Sequence, residues 1–108
     1  MRTTITLRYL LLFMLLWAGS AAAATGDPAA GERKSSMCAG CHGITGWRNA
    51  YPAYDVPKLG GQHADYIVSA LKAYKAKQRA HPTMQAIAAT LSDQDMADLA
   101  AFFSAPKQ

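Results

Sequence analysis

The five residues from Cys38 to His42, with the sequence CAGCH, constrain this chain more than any other feature. This C-x-x-C-H motif contains the only two cysteines of the 108 residues and is typical of c-type haem attachment. Two thiols about one helical turn apart can form thioethers with the two vinyl groups of one porphyrin, and the adjacent histidine can bind the iron through Nε2. The motif therefore predicts one covalent haem c, held by Cys38 and Cys41 and ligated by His42.

Two other uses of the cysteines are weaker. A thioredoxin-like dithiol would need a βαβ setting, which the sequence pattern lacks, and it would not need the histidine. A structural zinc site would need four ligands, and His63 and His81 are the histidines available beyond the motif. Haem attachment is the favoured interpretation.

The N-terminal residues have the pattern of an export signal. Two arginines precede a ten-residue apolar run, Tyr9 to Ala18, and small residues follow it as far as Ala24. This order is typical of a secretory signal peptide, and the run is about half of the ~20 apolar residues that a membrane span needs. We expect residues 1–24 to be a signal peptide cleaved near Ala24. Residues 25–108 would form one periplasmic domain, with no membrane span in the mature chain.

The charge and size of the predicted mature domain limit the functions that it can have. It has nine Lys and Arg against seven Asp and Glu, so its net charge gives little support to nucleic-acid binding. A domain this small rarely builds a sufficient hydrophobic core alone, and a large apolar cofactor would complete one.

Hydrophobic periodicity predicts an all-α domain of three to four short helices with a long loop and no strand. Glycines and prolines between Gly40 and Gly61 indicate the loop. Pro82 ends or interrupts one helical pattern, and Ser92 with Asp95 resembles a capping box before the last helix. The helical patterns run from Pro28 to Met37, from His63 to Ala80, from Met84 to Thr90, and through Met96, Leu99, Ala100 and Phe103.

A second axial ligand for the iron can be sought among the methionines and histidines. Met37 is beside the attachment site and cannot reach across the iron, Met96 belongs to an apolar stripe, and a capping or solvated role fits His63. Two candidates remain. Met84 lies in an irregular stretch just after a proline, and His81 would give bis-histidine ligation, with a lower reduction potential.

Several runs of the sequence together resemble class I cytochrome c. They are the haem motif followed by Gly43, the run PKLGGQ at 57–62, Tyr66, Leu71, Arg79, Met84, and the run LSDQD at 91–95 through Phe102. More narrowly, the chain is similar to the small bacterial periplasmic type found as single-haem cytochromes and as each half of the two-haem cytochromes c4. The resemblance covers essentially all of the mature chain and implies the class I cytochrome c fold around one haem.

The resemblance also implies roles for individual residues. His42 and Met84 would be the axial ligands, the carbonyl of Pro57 would accept the Nδ1–H of His42, and Leu59 would pack on the proximal face of the haem. Because the chain has one C-x-x-C-H motif, any second haem would have to come from another subunit.

We therefore expect an electron carrier that cycles between Fe(III) and Fe(II), and not an enzyme, since two axial ligands leave no position for substrate. Its partners would be transient redox proteins: a quinol-oxidising complex, a terminal oxidase or a dehydrogenase. The alternatives are a haem enzyme or ligand sensor with an open or labile sixth position, a thiol oxidoreductase, and an electron-transfer subunit of a larger complex.

Overall fold

The computed structural model describes residues 24–43, 48–50 and 53–105. The predicted signal peptide, apart from Ala24, lies outside the described residues, and its cleavage stays a prediction. No helix in the described part is both long enough and apolar enough to cross a membrane. The elements are α1 (Pro28–Lys34), α2 (Ser36–His42), β1 (Arg48–Ala50), β2 (Ala53–Asp55), α3 (Ala64–Lys75), α4 (Pro82–Ala89) and α5 (Asp93–Ser104).

The described residues are mainly helical, as the sequence predicts, but they also contain one small β-ribbon. β1 pairs with β2 in the antiparallel direction, with Asn49 opposite Tyr54. The expectation of no strand is therefore wrong. Strands of three residues are too short to show the alternation of apolar and polar residues by which a strand is recognised in a sequence.

The single helix expected up to Met37 is two helices separated at Ser35. The Ser35 hydroxyl and the Ser35 N–H both donate to the carbonyl oxygen of Glu32, at 2.8 and 3.1 Å. Such local bonds compete with helix continuation. The cysteine motif consequently lies on a helix of its own, α2, and not at the start of a loop.

The first and last helices pack with their backbones in close approach at Gly31. This glycine of α1 is buried, and a Cβ atom built on it would overlap the carbonyl oxygen of Asp98 in α5. Gly26, just before α1, is equally close to the carbonyl oxygen of Ala97. Glycine is required here because no other residue lets the two backbones approach this closely.

A buried carboxylate joins the same two segments. Asp98 is 3% exposed. Its carboxylate accepts hydrogen bonds from the Asp27 N–H at 2.9 Å, Lys34 Nζ at 2.6 Å and Gln94 Nε2 at 2.8 Å. The Asp27 N–H, and then Lys34 and Gln94, lower the pKa of Asp98 to about 2. Lys34 also pairs with Asp95 at 2.7 Å, so one cation serves two carboxylates.

The predicted capping box of the last helix is confirmed. The Ser92 side chain accepts from the Asp95 N–H at 3.0 Å, and the Asp95 carboxylate accepts from the Ser92 N–H at 2.9 Å. Behind this cap, α5 buries Met96 and Leu99, which form a core cluster with Leu91. Partly buried side chains pack against the cluster from three elements: Cys38, Leu71 and Phe103.

Replacing Gly31 by alanine should destabilise the fold by about 1–3 kcal/mol, because the new Cβ forces α1 away from α5. Urea unfolding of the haem-loaded protein, followed by circular dichroism, measures the change. Glu32→Ala is the matched control, since Glu32 is exposed on the same helix and should change stability by less than about 0.5 kcal/mol. Equal stabilities of the two variants would show that the close approach is not needed.

Asp98→Asn should reduce the acid sensitivity of the fold. The pKa of the native carboxylate lies below its ordinary value, so its stabilisation is complete above about pH 5 and is lost as the pH falls towards 2. The variant should be less stable at pH 7 and should lose less stability between pH 5 and pH 2, as measured by urea unfolding at each pH. Asp93→Asn is the control, because Asp93 is exposed and 3.7 Å from an exposed Lys72. An unchanged pH dependence in Asp98→Asn would contradict the assignment.

Candidate functional site

An apolar cavity of about 440 Å³ lies between α2, the segment 55–62, α3, α4 and α5. Its volume falls within the range of about 300–1,000 Å³ that is typical of ligand and cofactor sites. Carbon-rich side chains form most of its wall, among them Val56, Ile67, Leu71, Ile87, Leu99 and Phe103.

The structure brings all six predicted site residues to this one cavity: Cys38, Cys41, His42, Pro57, Leu59 and Met84. Their roles towards a cofactor stay predictions. The rival ligand His81 also lies on the wall, as does Met37. By contrast, Met96 is fully buried in the core and His63 is exposed just before α3, and neither lines the cavity.

Helix α2 presents the two thiols to the cavity. Cys38 and Cys41 are three positions apart, which places both on one side of the helix. Both are free thiols; Cys41 is exposed, whereas Cys38 is half-buried against the Leu91 cluster. Burial raises the pKa of the Cys38 thiol.

The ring of His42, the last residue of α2, is held by a backbone carbonyl. Its Nδ1 lies 2.7 Å from the carbonyl oxygen of Pro57. A carbonyl can only accept, so Nδ1 must carry the hydrogen, and in the neutral ring Nε2 keeps a lone pair.

The segment that supplies the Pro57 carbonyl is itself attached to α5. Gly61 has a φ of 85°, a conformation that glycine adopts without strain, and its N–H donates to the carbonyl oxygen of Phe103 at 2.8 Å. The Gln62 N–H donates back to the Leu59 carbonyl at 3.0 Å. These bonds fix the segment beside the cavity.

Helix α4 begins two residues earlier than the sequence analysis predicts. Pro82, expected to end or interrupt a helix, is instead the first residue of α4, where its missing N–H costs nothing. His81 is the N-cap residue, and its Nδ1 accepts from the Met84 N–H at 3.2 Å. Met84 is half-buried in the first turn of α4.

Sequence reasoning missed one feature of the cavity wall. The Arg79 guanidinium lies 4.8 Å above the ring of Tyr74 and 3.5 Å from the hydroxyl of Tyr66. Tyr66 and Tyr74 lie eight residues apart on α3, which the apolar periodicity does reveal. The position of Arg79 depends on the turn after α3, where Lys77 has a φ of 59°, and no periodic pattern predicts such a turn.

The geometry disfavours the alternatives to haem attachment. Within the described residues, no group of three or more His, Cys, Asp or Glu side chains is placed to hold a metal ion, as a zinc site would require. The cysteines lie on α2 after α1, without the strand–helix–strand setting of a thioredoxin-like dithiol in the described part of the chain.

Comparison with known proteins agrees with this geometry. The model of the cytochrome c family matches residues 28–105. Cytochrome c4 of Pseudomonas aeruginosa is 41% identical over 100 residues, which cover 91% of this chain and 48% of that protein. Cytochrome c-554(548) of Halomonas halodenitrificans is 45% identical over 82 residues, covering 73% of this chain and 95% of that one. A solved structure of cytochrome c4 from Acidithiobacillus ferrooxidans matches with a TM-score of 0.60 and 26% identity, covering 79% of this chain and 52% of that chain.

The chain thus spans about half the length of the cytochromes c4 that it matches. A cytochrome c domain implies a covalent haem c, and the cavity fits one. Two free thiols and a histidine with an available Nε2 lie on the wall of a cavity of suitable volume and mostly apolar lining.

Replacing both cysteines by serine should abolish covalent haem attachment, whereas each single variant should keep one thioether. Haem staining after denaturing electrophoresis measures attachment, and the alkaline pyridine spectrum should shift to the red when one vinyl group stays free. Met37→Leu is the control, since Met37 lies on the same wall without a role in attachment. Haem that remains bound to the double variant under denaturing conditions would contradict the assignment.

Proposed function

Because this chain belongs to the cytochrome c family, we propose that it is a periplasmic carrier of single electrons whose haem iron is ligated by His42 and Met84. The haem supplies the one-electron couple of its iron, Fe(III)/Fe(II). One observation carries the choice of ligands: the two histidines on the cavity wall use Nδ1 in opposite ways.

His42 has the tautomer that an iron ligand needs. Its Nδ1–H donates to the Pro57 carbonyl at 2.7 Å, so the Nε2 lone pair is available and the plane of the ring is fixed. A histidine that binds a metal through one ring nitrogen usually donates the other N–H to a carbonyl or carboxylate, which also increases its basicity.

His81 has the opposite tautomer. Because its Nδ1 accepts the Met84 N–H, the hydrogen of the neutral ring is on Nε2, which then has no lone pair for iron. To bind iron through Nε2, His81 would need its hydrogen on Nδ1, facing another N–H donor. Capping α4 and binding iron through Nε2 are mutually exclusive, and this supports Met84 over His81.

We assign the remaining protein ligand of the iron to Met84. It lies on the cavity wall in the first turn of α4, whereas Cys38, Cys41 and His42 are on α2. A thioether is a weak, neutral ligand that favours Fe(II) relative to a second imidazole, so His/Met ligation raises the reduction potential.

Two filled axial positions fit a carrier better than an enzyme. Substrate could not reach the iron without displacing a protein ligand, and the apolar wall limits water around the site. The protein's own contribution is to hold both ligands in place through the change of charge, which keeps the reorganisation on electron transfer small.

The location is inferred from the predicted signal peptide, and the partners from the proposed carrier function. The predicted signal peptide, cleaved near Ala24, would place the domain in the periplasm. Its partners there would be redox proteins that bind transiently: a quinol-oxidising complex, a terminal oxidase or a dehydrogenase.

Met84→Ala should abolish the weak far-red sulfur-to-iron band of the oxidised protein and lower its reduction potential. The lost thioether would be replaced by water or another weak ligand, so the iron should become high-spin and bind cyanide rapidly. Optical spectra and redox titration of the haem-loaded protein measure these changes. Met96→Leu is the matched control, because Met96 is buried in the core away from the cavity and should leave the band intact.

Two results would contradict the proposal in different ways. A band that persists in Met84→Ala would place another methionine on the iron. A wild-type protein that is high-spin and binds carbon monoxide quickly would favour a haem enzyme or ligand sensor over a carrier.

A further inference from the structure

The first turn of α4 is stabilised by side chains that are not among the proposed ligands of the iron. His81 lies in the N-cap position with an extended backbone, and its Nδ1 accepts the N–H of Met84 itself. Its carbonyl accepts the Gln85 N–H at 2.9 Å, the first main-chain bond of the helix. The cap therefore acts directly on the backbone of the residue that would bind iron.

The His81 ring is in turn held by the neighbouring helix. Tyr74 of α3 meets it edge-on, with ring centroids 6.1 Å apart and planes inclined by 76°. The Arg79 guanidinium stacks on the ring of Tyr74, and the Arg79 carbonyl accepts from Gln85 Nε2 at 2.7 Å. Contacts from both α3 and the turn that follows it thus converge on the start of α4.

We infer that His81 is a positioning residue, which fixes the backbone of Met84 through its Nδ1 so that the thioether is held in place for the iron. The inference rests on the proposed ligation by His42 and Met84. It assigns to His81 a role other than that of ligand, and it makes the strength of the Met84–iron bond dependent on a cap contact outside the coordination sphere.

The strength of Met84 ligation depends on how often Met84 is in the binding conformation. Without an acceptor at the N-cap, the first turn of a helix frays, and loss of a good cap costs about 1 kcal/mol. The apparent affinity of a ligand is its intrinsic affinity multiplied by the fraction of time that it spends in the binding conformation. Removing the cap should therefore weaken Met84 ligation by up to about fivefold, the factor to which that cap energy corresponds.

Imidazole competition on the oxidised, haem-loaded protein measures this directly. Imidazole displaces Met84 and removes the far-red sulfur-to-iron band, so its apparent dissociation constant reports how firmly Met84 is held. His81→Ala should bind imidazole more tightly than wild type, by up to about fivefold. His81→Asn restores a side-chain acceptor at the N-cap and should stay within about twofold of wild type.

Ser92→Ala is the matched control for stability. Ser92 caps α5 through the same kind of side-chain bond, and it does not line the cavity. This variant should lower the urea unfolding midpoint as His81→Ala does, but it should leave the imidazole dissociation constant unchanged. The control separates a specific effect on Met84 from a general loss of stability.

Four results would overturn the inference. Equal imidazole affinity in His81→Ala and wild type, or tighter binding in Ser92→Ala as well, would leave Met84 as ligand but remove the positioning role. Failure of His81→Asn to restore the wild-type value would do the same. If His81→Ala converts the iron to high spin while Met84→Ala does not, His81 is itself the ligand, and the proposed His42/Met84 pair fails together with this inference.

Discussion

The close approach of α1 and α5 at Gly31 is the constraint on which the rest of this structure depends. It brings the Asp98 carboxylate within reach of the Asp27 N–H and Lys34, and the carboxylate in turn fixes the beginning and the end of α1. Because α2 follows α1 after one residue, the position of the haem motif is set by this contact. On its other side α5 packs against α3, and α3 packs against α4. The helices on both sides of the cavity are therefore positioned relative to α5.

The interior of the domain is divided between a small core and the cavity. The fully buried side chains of α5 pack around Met96 and Leu99, whereas Leu71 and Phe103 are only partly buried and face both the core and the cavity. A domain of this size has little apolar area to spare. A haem in the cavity would cover these half-buried side chains, so that the cofactor completes the hydrophobic core as well as carrying the chemistry.

Sequence reasoning succeeded where the signal is local and failed where it depends on contacts between distant segments. The C-x-x-C-H motif, the Ser92–Asp95 capping box and the apolar face of α3 each occupy a few consecutive turns, and each was readable. Asp98 was missed because two of its three partners, Asp27 and Lys34, lie 71 and 64 residues away; an aspartate inside the apolar stripe of a helix was the signal available.

The start of α4 was a different kind of miss. The sequence pattern indicates that Pro82 ends or interrupts a helix, although proline is also favoured at the first position of one. With that alternative, the preceding residue becomes a cap and His81 acquires a role that does not compete with Met84. Sequence spacing could not make this choice, because a histidine before a proline satisfies both patterns.

The two histidines therefore differ in the position of a single ring hydrogen. Both rings lie on the cavity wall and both use Nδ1, yet one gives a hydrogen to Pro57 and the other receives one from Met84. Since a neutral imidazole has one hydrogen for two nitrogens, these bonds determine which ring can offer Nε2 to a metal. The Pro57 carbonyl, beside the end of α2, and the Met84 N–H, at the start of α4, thus decide which ring keeps the Nε2 lone pair that a metal ligand needs and which ring caps a helix.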